Sequence, residues 1–422
     1  MPGRHPDWTS SEVFAEIESP GVSPSVHSYR WVMLAGAWLI YFCFGLTFTA
    51  LAPLVRPISQ ELGLSHSEMG VVLGSWSLVY IASAVPCGAL LDRFGPRRAL
   101  FAAVMIMGLS GVLRGVATGH LGLFLAVAAF GLGGPFISIG GPKLVSLWFE
   151  GKERGLAMGI FSTGPPLGGV GALALTNSVF MPIAGGNWRA VLVFYAGFVL
   201  MAGIAWLAIS GHRASRAVER QIAAEPKRTQ LAVFAGLLRL KVVRVVLLMS
   251  VGIFLFNQGL VNWLPEILRR GGMDAETAGY WASVPIAVSI LSAMVIPHLA
   301  IPSRRLVILL CLFICAGGAT FLTEEPAGVW LAAGLFLQGT ARGAMRTVAI
   351  LVLMDSRDVE ARDIGSVGGL FFSAAEIGGV LGPLAMGYLF DVTGGFSAAL
   401  YMLSAVCAAL MLLVARLRRL DG

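Results

Sequence analysis

The chain has 422 residues, of which 57% are hydrophobic and only 13% are charged. Because a soluble globular protein carries about 25% charged residues, this composition excludes an ordinary water-soluble fold and indicates a lipid bilayer as the solvent. The formal charge of +7 does not predict a nucleic-acid partner, since most basic residues lie in short segments between apolar runs, where they mark membrane topology.

The apolar stretches predict an all-α membrane protein with twelve transmembrane helices, because about 20 apolar residues cross a hydrocarbon core of about 30 Å. Residues 1–29 are polar, lack a signal-peptide core and are predicted to form a cytoplasmic N-terminal tail. Six spans are predicted within an N-terminal bundle, 30–210, at 31–54, 69–91, 99–117, 121–148, 155–180 and 189–209. After a polar cytoplasmic linker, 211–242, six more are predicted within a C-terminal bundle, 243–418, at 243–264, 277–300, 304–322, 327–354, 364–390 and 396–416.

The distribution of Lys and Arg predicts a multi-pass protein of the inner membrane with both termini in the cytoplasm. In that topology most of the 30 basic residues face the cytoplasm. The basic residues expected on the other side are Arg56, Arg114, Arg189, Arg269 and Arg270. A Leu-Gly-Gly-Val sequence at 167–170 recurs as Ile-Gly-Gly-Val at 377–380, which favours two related six-helix halves.

Several classes of chemistry find no support in the sequence. The five cysteines all lie in predicted spans, at Cys43, Cys87, Cys311, Cys315 and Cys407. They have no His or acidic neighbours, so neither a metal site nor a disulfide framework is expected. No phosphate-binding loop, nucleophile–base set or channel filter is present, so the sequence predicts no enzyme, no cofactor and no direct use of ATP.

The loop after the second predicted span reads G-A-L-L-D-R-F-G-P-R-R over 88–98. It resembles the signature loop of the major facilitator superfamily, G-x-L-x-D-R-x-G-R-R. The matching residues are Gly88, Asp92, Arg93, Gly95, Arg97 and Arg98. The resemblance implies that superfamily's fold of two pseudo-symmetric bundles, with Asp92 and Arg93 in a charge network that latches the halves on the cytoplasmic side. Simple anchoring of the loop at the anionic leaflet is the alternative.

Two further motifs belong to the fifth predicted span. The residues that lead into it, 148–159, resemble the junction between the fourth and fifth helices in the monocarboxylate, oxalate/formate and cyanate-permease-like branches, and include Glu153 and Arg154. A later stretch resembles the G-P-x-x-G-G element of the superfamily's antiporters, and consists of Gly164, Pro165, Gly168 and Gly169. Because glycines allow close helix contact and prolines kink helices, a packing role stays equally open.

Charged residues inside the predicted spans indicate the working site. An arginine at the bilayer centre costs about 2.5–3.5 kcal/mol on insertion scales, so it needs a partner or a cavity. Arg342 and Arg346 are four residues apart and therefore share one helical face. Glu376 lies near the middle of the next span.

Three interpretations of these charges stay open. In the first, the arginines bind an anionic, carboxylate-like substrate, and Glu376 couples its transport to protonation. In the second, Glu376 pairs permanently with one arginine and serves packing or gating. In the third, backbone carbonyls satisfy the arginines.

Other polar side chains are predicted to line the same cavity and contact a small-molecule substrate. They are Tyr41 in the first span and Asn257 and Gln258 in the seventh, although hydrogen bonds between helices would explain the amides equally well. The sequence thus predicts a monomeric secondary active transporter that moves a small organic anion by alternating access, with protons as the candidate coupling ion. The alternatives are a drug or metabolite efflux carrier with structural charges and, from a different class, a membrane enzyme or receptor.

Overall fold

The computed structural model describes residues 24–212, 215, 236–354 and 364–421, and their regular structure is helical throughout. The predicted tail up to residue 23 and most of the predicted linker lie outside the described residues. The first half contains α1 (Pro24–Thr49), α2 (Val55–Leu62), α3 (His66–Val116), α4 (His120–Trp148), α5 (Gly151–Ser162), α6 (Gly164–Leu175), α7 (Met181–Ile183) and α8 (Trp188–Ser210). The second half contains α9 (Lys241–Arg270), α10 (Ala275–Leu299), α11 (Arg305–Leu322), α12 (Val329–Met354), α13 (Ile364–Thr393) and α14 (Ser397–Asp421).

Ten helical segments among the described residues are long and apolar enough to cross a membrane. The 51-residue α3 counts once among them, but a helix of that length rises about 77 Å, enough for two crossings of a core of about 30 Å. Gly95, with φ of 79° and ψ of 161°, interrupts the helical backbone between these two crossings. The remaining crossing is α12, whose 26 residues include both intramembrane arginines. The prediction of twelve transmembrane helices is therefore confirmed.

Side-chain caps define where several crossings begin. Ser65 and Glu68 form a capping box at the start of α3, each side chain bonding to the other residue's backbone N–H. Asn187 accepts hydrogen bonds from two backbone amides at the start of α8. Asp274 does the same for α10, and hydrogen bonds from the backbone and side chain of Thr277 hold the pKa of Asp274 below its usual range. These caps satisfy amides that would otherwise lack partners at the membrane surface.

The two halves pack closely against each other at one face of the membrane. An even number of crossings places the start of α1 and the end of α14 at the same face, which we call the terminal face; the other is the opposite face. The halves pack along α3 against α13 and along α6 against α10. Toward the opposite face, a Cβ added at Gly70 would lie 2.5 Å from the Pro383 carbonyl oxygen, and one at Gly74 would lie 2.9 Å from that of Val380. Only glycine permits such close backbone approach.

The terminal face has a different arrangement. Glycines in the corresponding parts of α3, α5 and α13 would meet no atom within 4 Å if they carried a Cβ, as shown by Gly88, Gly155, Gly159 and Gly369. Several hydrogen bonds and ion pairs at this face stay within one half, as in the 2.7 Å bridge from Arg30 to Glu153. Among the described residues, the space between the halves is therefore closed toward the opposite face and open toward the terminal face.

A π-helical turn, Thr176–Phe180, follows α6 near the opposite face. Within it, the Asn177 side-chain nitrogen donates to the carbonyl oxygen of Pro53 at 3.3 Å and to that of Ala275 at 3.1 Å. Pro53 belongs to the first half and Ala275 to the second. Asn177 thus contributes a hydrogen bond between the halves where they are closed.

Candidate functional site

Arg342 and Arg346 lie one turn apart on α12, and the structure places Arg346 between the two halves. The other side of α12 packs on α10, where Gly339 approaches the Pro285 backbone and Ser292 donates to the Thr340 carbonyl oxygen at 2.5 Å. The exposed Arg346 acts electrostatically on Tyr41 of α1 and on Glu376 of α13. Arg342 is partly buried and lies close enough to Arg346 for the two charges to repel each other.

Glu376 is buried and reaches across to the first half. Its Oε2 accepts a 2.6 Å hydrogen bond from the Ser77 hydroxyl on α3. A Cβ at Gly379 would lie 2.6 Å from both of the bonded oxygen atoms, so this glycine leaves the room that the bond needs. Glu376 forms no ion pair with either arginine among the described residues. The arrangement therefore differs from the permanent Glu–Arg pair that one interpretation of the sequence required.

The first half contributes aromatic and hydroxyl groups to this region. Tyr41 stacks on Phe161 with ring centroids 4.5 Å apart. The Tyr80 hydroxyl lies 2.7 Å from the Ser138 hydroxyl, and Tyr80 is close enough to interact electrostatically with Tyr41 and Glu376. The site thus has cations from α12, an acid from α13, and tyrosines from α1 and α3.

The two amide residues predicted for this site, Asn257 and Gln258, form hydrogen bonds within their own helix. The side-chain nitrogen of Asn257 donates to the Ile253 carbonyl oxygen at 3.0 Å, which leaves its buried Oδ1 without a protein partner. Gln258 is buried, and its backbone oxygen accepts from the Asn262 side chain at 2.7 Å. The buried Oε1 of Gln338 on α12 also lacks a protein partner. The described contacts join neither Asn257 nor Gln258 to the arginines.

The signature loop makes its contacts inside the first half. Asp92 forms a 2.7 Å ion pair with Lys143 of α4, and the guanidinium of Arg93 lies 5.4 Å from the ring centroid of Phe94. The Arg97 carbonyl oxygen accepts a 3.0 Å hydrogen bond from Trp206 of α8, and Arg98 is exposed. In this conformation no described contact of Asp92 crosses to the second half. A latch between the halves stays a prediction for the conformation in which the terminal face is closed.

The glycine–proline element packs α6 against α1. A Cβ at Gly164 would lie 3.0 Å from the backbone nitrogen of Phe42, and one at Gly168 would lie 2.6 Å from that of Leu46. Pro165 closely approaches Gly45, and a Cβ at Gly169 would lie 3.1 Å from the Thr49 hydroxyl oxygen. These contacts favour a packing role. In the neighbouring motif, Glu153 pairs with Arg30 while Arg154 is exposed.

Arg114 is buried inside the first half. It was predicted among the basic residues of the non-cytoplasmic side, within the span 99–117, and it is only 2% exposed. The helix α3 continues to Val116, which turns Arg114 inward in its last turn. Its guanidinium donates to the Thr47 carbonyl oxygen at 2.8 Å and lies 5.2 Å from the ring centroid of Phe130. The cation is thus satisfied by a carbonyl and an aromatic face inside the first half.

A bundle of twelve membrane-crossing helices, with a charged site between two halves, defines a multi-pass membrane transporter of small solutes. The family model of the Major Facilitator Superfamily matches residues 37–357 and 272–422, so the chain belongs to that superfamily. Its members and the relatives of this chain are transporters, and the chain is therefore a transporter rather than an enzyme.

Two relatives are named for acidic sugars. The chain is 26% identical to a "Hexuronate transporter" of Bacillus subtilis (strain 168), with 86% of this chain and 88% of the relative covered. It is also 26% identical to a "Probable L-galactonate transporter" of Escherichia coli (strain K12), with 83% and 81% covered. The crystal structure of a mutant of the nucleoside transporter NupG superposes with a TM-score of 0.76 at 13% identity, covering 92% of this chain and 99% of that one. This last likeness establishes the fold alone.

Proposed function

We propose that the protein is a secondary transporter of a small organic anion that carries a carboxylate, such as a sugar acid. The observation that carries this proposal is the surplus of positive charge between the halves. Arg342 and Arg346 face one acid, Glu376, whose carboxylate is bonded to Ser77 and paired with neither arginine. A guanidinium matches a carboxylate through two parallel hydrogen bonds, so an anionic substrate would supply the missing partner. The names of the hexuronate and galactonate relatives support the same substrate class.

The proposed transport cycle is alternating access. We assign the terminal face to the cytoplasm, because most Lys and Arg residues fall on that side of the chain. The structure then corresponds to a state that is open inward and closed outward. In the outward-open state, the halves separate along α3–α13 and α6–α10 at the opposite face. Asp92 then contributes to closing the cytoplasmic face.

Glu376 is the proposed coupling residue. When its carboxylate is ionised, it lies in the favourable field of Arg346 and accepts a hydrogen bond from Ser77. An anion that binds Arg346 removes part of that favourable field, so it promotes proton uptake by Glu376. The protonated carboxyl can keep its contact with Ser77 as a donor, but it no longer competes with the substrate for the arginine. Substrate and proton would therefore bind together.

The test is uptake into liposomes that contain the purified protein. Sugar acids and simple carboxylates are compared with neutral and cationic compounds, with and without a pH gradient. Arg342→Gln and Arg346→Gln should abolish anion uptake, whereas Arg346→Lys should raise KM because it keeps the charge but loses the bidentate geometry. Arg154→Gln, an exposed position at the terminal face, is the matched control. Anion uptake with unchanged KM in both glutamine variants, or uptake restricted to neutral or cationic compounds, would refute the proposal.

A further inference from the structure

A second charged cavity lies at the opposite face, between the ends of the crossings. Its volume is about 500 Å³, within the range of about 300–1,000 Å³ that is typical of small-molecule sites. The first half lines it with Arg56, Gln60 and His66, and the second half lines it with Glu266, Arg269 and Arg270. The cavity therefore depends on both halves being closed against each other.

Positive charge dominates the walls of this cavity. Three guanidinium groups line it, together with the single carboxylate of Glu266. Glu266 is 5% exposed and lies 3.6 Å from the Nε of Arg270, which itself stacks over Phe390 at 4.2 Å. Arg56 and Arg269 form no ion pair with any described residue, although their charges act on each other across the two halves. Two like charges held close together favour an anion between them.

Two further acids nearby are already engaged. Asp274, which acts electrostatically on Arg269, caps the start of α10. Asp391 of α13 accepts from the backbone amides of His66 and Ser67 at 3.1 and 2.7 Å, and its Oδ1 lies 3.4 Å from the His66 ring nitrogen. Its carboxylate oxygens are thus occupied by groups at the start of α3. The cavity retains a positive surplus contributed by both halves.

This cavity is separate from the central site. His66 and Ser77 are eleven residues apart on α3, which corresponds to a rise of about 16 Å. Between them lie the tight contacts of Gly70 with Pro383 and of Gly74 with Val380. An anion in the cavity cannot reach the Arg346 region while this face is closed.

We propose that this cavity is a second anion site, which binds a soluble carboxylate or phosphate-type oxyanion at Arg56 and Arg269. Because the two arginines belong to different halves, a bound anion bridges them and stabilises the closed opposite face. Separation of the halves pulls the arginines apart and disassembles the site. With the orientation proposed above, the site faces the outside, so external anions hold the transporter in its inward-open state.

The experiment measures occupancy directly and does not depend on transport. Ser59, which also lines the cavity, is replaced by Cys in protein that carries Arg346→Gln, so that the central site contributes no anion binding. The rate of thiol alkylation at position 59 is followed by mass spectrometry with inorganic phosphate or citrate, against chloride at matched ionic strength. We expect phosphate and citrate to slow the reaction several-fold. Added Arg56→Gln or Arg269→Gln should remove this protection.

Arg189→Gln is the matched control, because it removes a positive charge from the same face at a residue paired with Glu61 outside the cavity. Protection that survives Arg56→Gln and Arg269→Gln together, or that is lost equally in Arg189→Gln, would overturn the proposal. A second arm uses nanodiscs with zwitterionic or anionic lipid and no added anion. Protection produced by anionic lipid but not by phosphate or citrate would assign the arginines to a lipid headgroup and overturn the soluble-anion site. Because the assay uses a variant without the central arginine, its failure leaves the proposed transport function untouched.

Discussion

Ser77 and Glu376, 299 residues apart in the chain, form a 2.6 Å hydrogen bond that joins α3 of the first half to α13 of the second. The bond lies at the inner limit of the closed region, next to the charged space that contains Arg346. A change in the protonation or partner of Glu376 therefore acts directly on a contact between the halves. This connection links the proposed substrate site to the closure of the opposite face.

Removal of the Ser77 hydroxyl should loosen the closed face. A hydrogen bond to a charged group contributes about 1.5–3 kcal/mol, so Ser77→Ala should shift the protein toward the state that is open at the opposite face. The measurement is the distance distribution between spin labels at Gln60→Cys and Glu276→Cys, in a background with the exposed Cys311 replaced by Ser. Ser83→Ala is the control, because Ser83 bonds to backbone oxygens within the first half. Identical distributions in Ser77→Ala and the parent protein would contradict the assigned role.

A methyl group at Gly379 should also loosen the closed face, because it would clash with the bonded oxygen atoms of Ser77 and Glu376. The added Cβ would lie 2.6 Å from both the Ser77 and Glu376 oxygens, and overpacking of this kind costs about 1–3 kcal/mol. We expect Gly379→Ala to lower the melting temperature and to increase the long-distance population of the spin labels. Gly368→Ala on the same helix has open space around it and should change neither quantity. A normal melting temperature in Gly379→Ala would show that the bond is not sterically defined.

Asp391 of α13 caps the start of α3, so this helix cap also joins the two halves. It accepts from two amides at the start of α3, and loss of a helix cap costs about 0.5–2 kcal/mol. Asp391→Ala should therefore destabilise the protein and also widen the spin-label distances at the opposite face. Asp274→Ala removes an equivalent cap within the second half alone and should reduce stability without widening. Equal widening in the two variants would mean that the effect is a general consequence of lost caps.

The ion pair between Asp92 and Lys143 should contribute more to transport than to stability. Both side chains are partly exposed, and such pairs stabilise proteins by about 0.2–1 kcal/mol. Asp92→Asn should therefore leave the melting temperature nearly unchanged. If Asp92 latches the cytoplasmic face in the other state, the variant should nevertheless transport more slowly in the liposome assay. Glu153→Gln, which breaks the comparable pair with Arg30, is the control, and equal transport rates in the two variants would argue against the latch.

The sequence predicted those features that would carry a large free-energy cost in lipid if they were arranged in any other way. Apolar runs of crossing length give the twelve helices, because unsatisfied backbone groups are excluded from lipid. Arg342, Arg346 and Glu376 were recognisable because charges within such runs are expensive. Tyr41 was predicted to line the same cavity, but its electrostatic interaction with Arg346 depends on how the two halves are placed relative to each other.

The partners of these residues could not be predicted in the same way. Ser77 is an ordinary small residue in a helix, and its role depends on α13 lying beside α3. The pairing of Lys143 with Asp92 depends on α4 lying beside the end of the second crossing. The partners of Arg114, the Thr47 carbonyl oxygen and the Phe130 ring, likewise depend on how the helices of the first half pack.

The π-helical turn at Thr176–Phe180 places a local change of helix geometry in the fifth crossing, at the contact between the halves. π-helical turns are rare and are found frequently at functional sites. Asn177, inside the turn, holds Pro53 with the same side-chain nitrogen that holds Ala275. Release of Ala275 alone would leave the crossing anchored to its own half. The bond to Pro53 would then keep the π-helical turn in place within the first half while α10 separates from it, so that the bond to Ala275 can form again when the halves close.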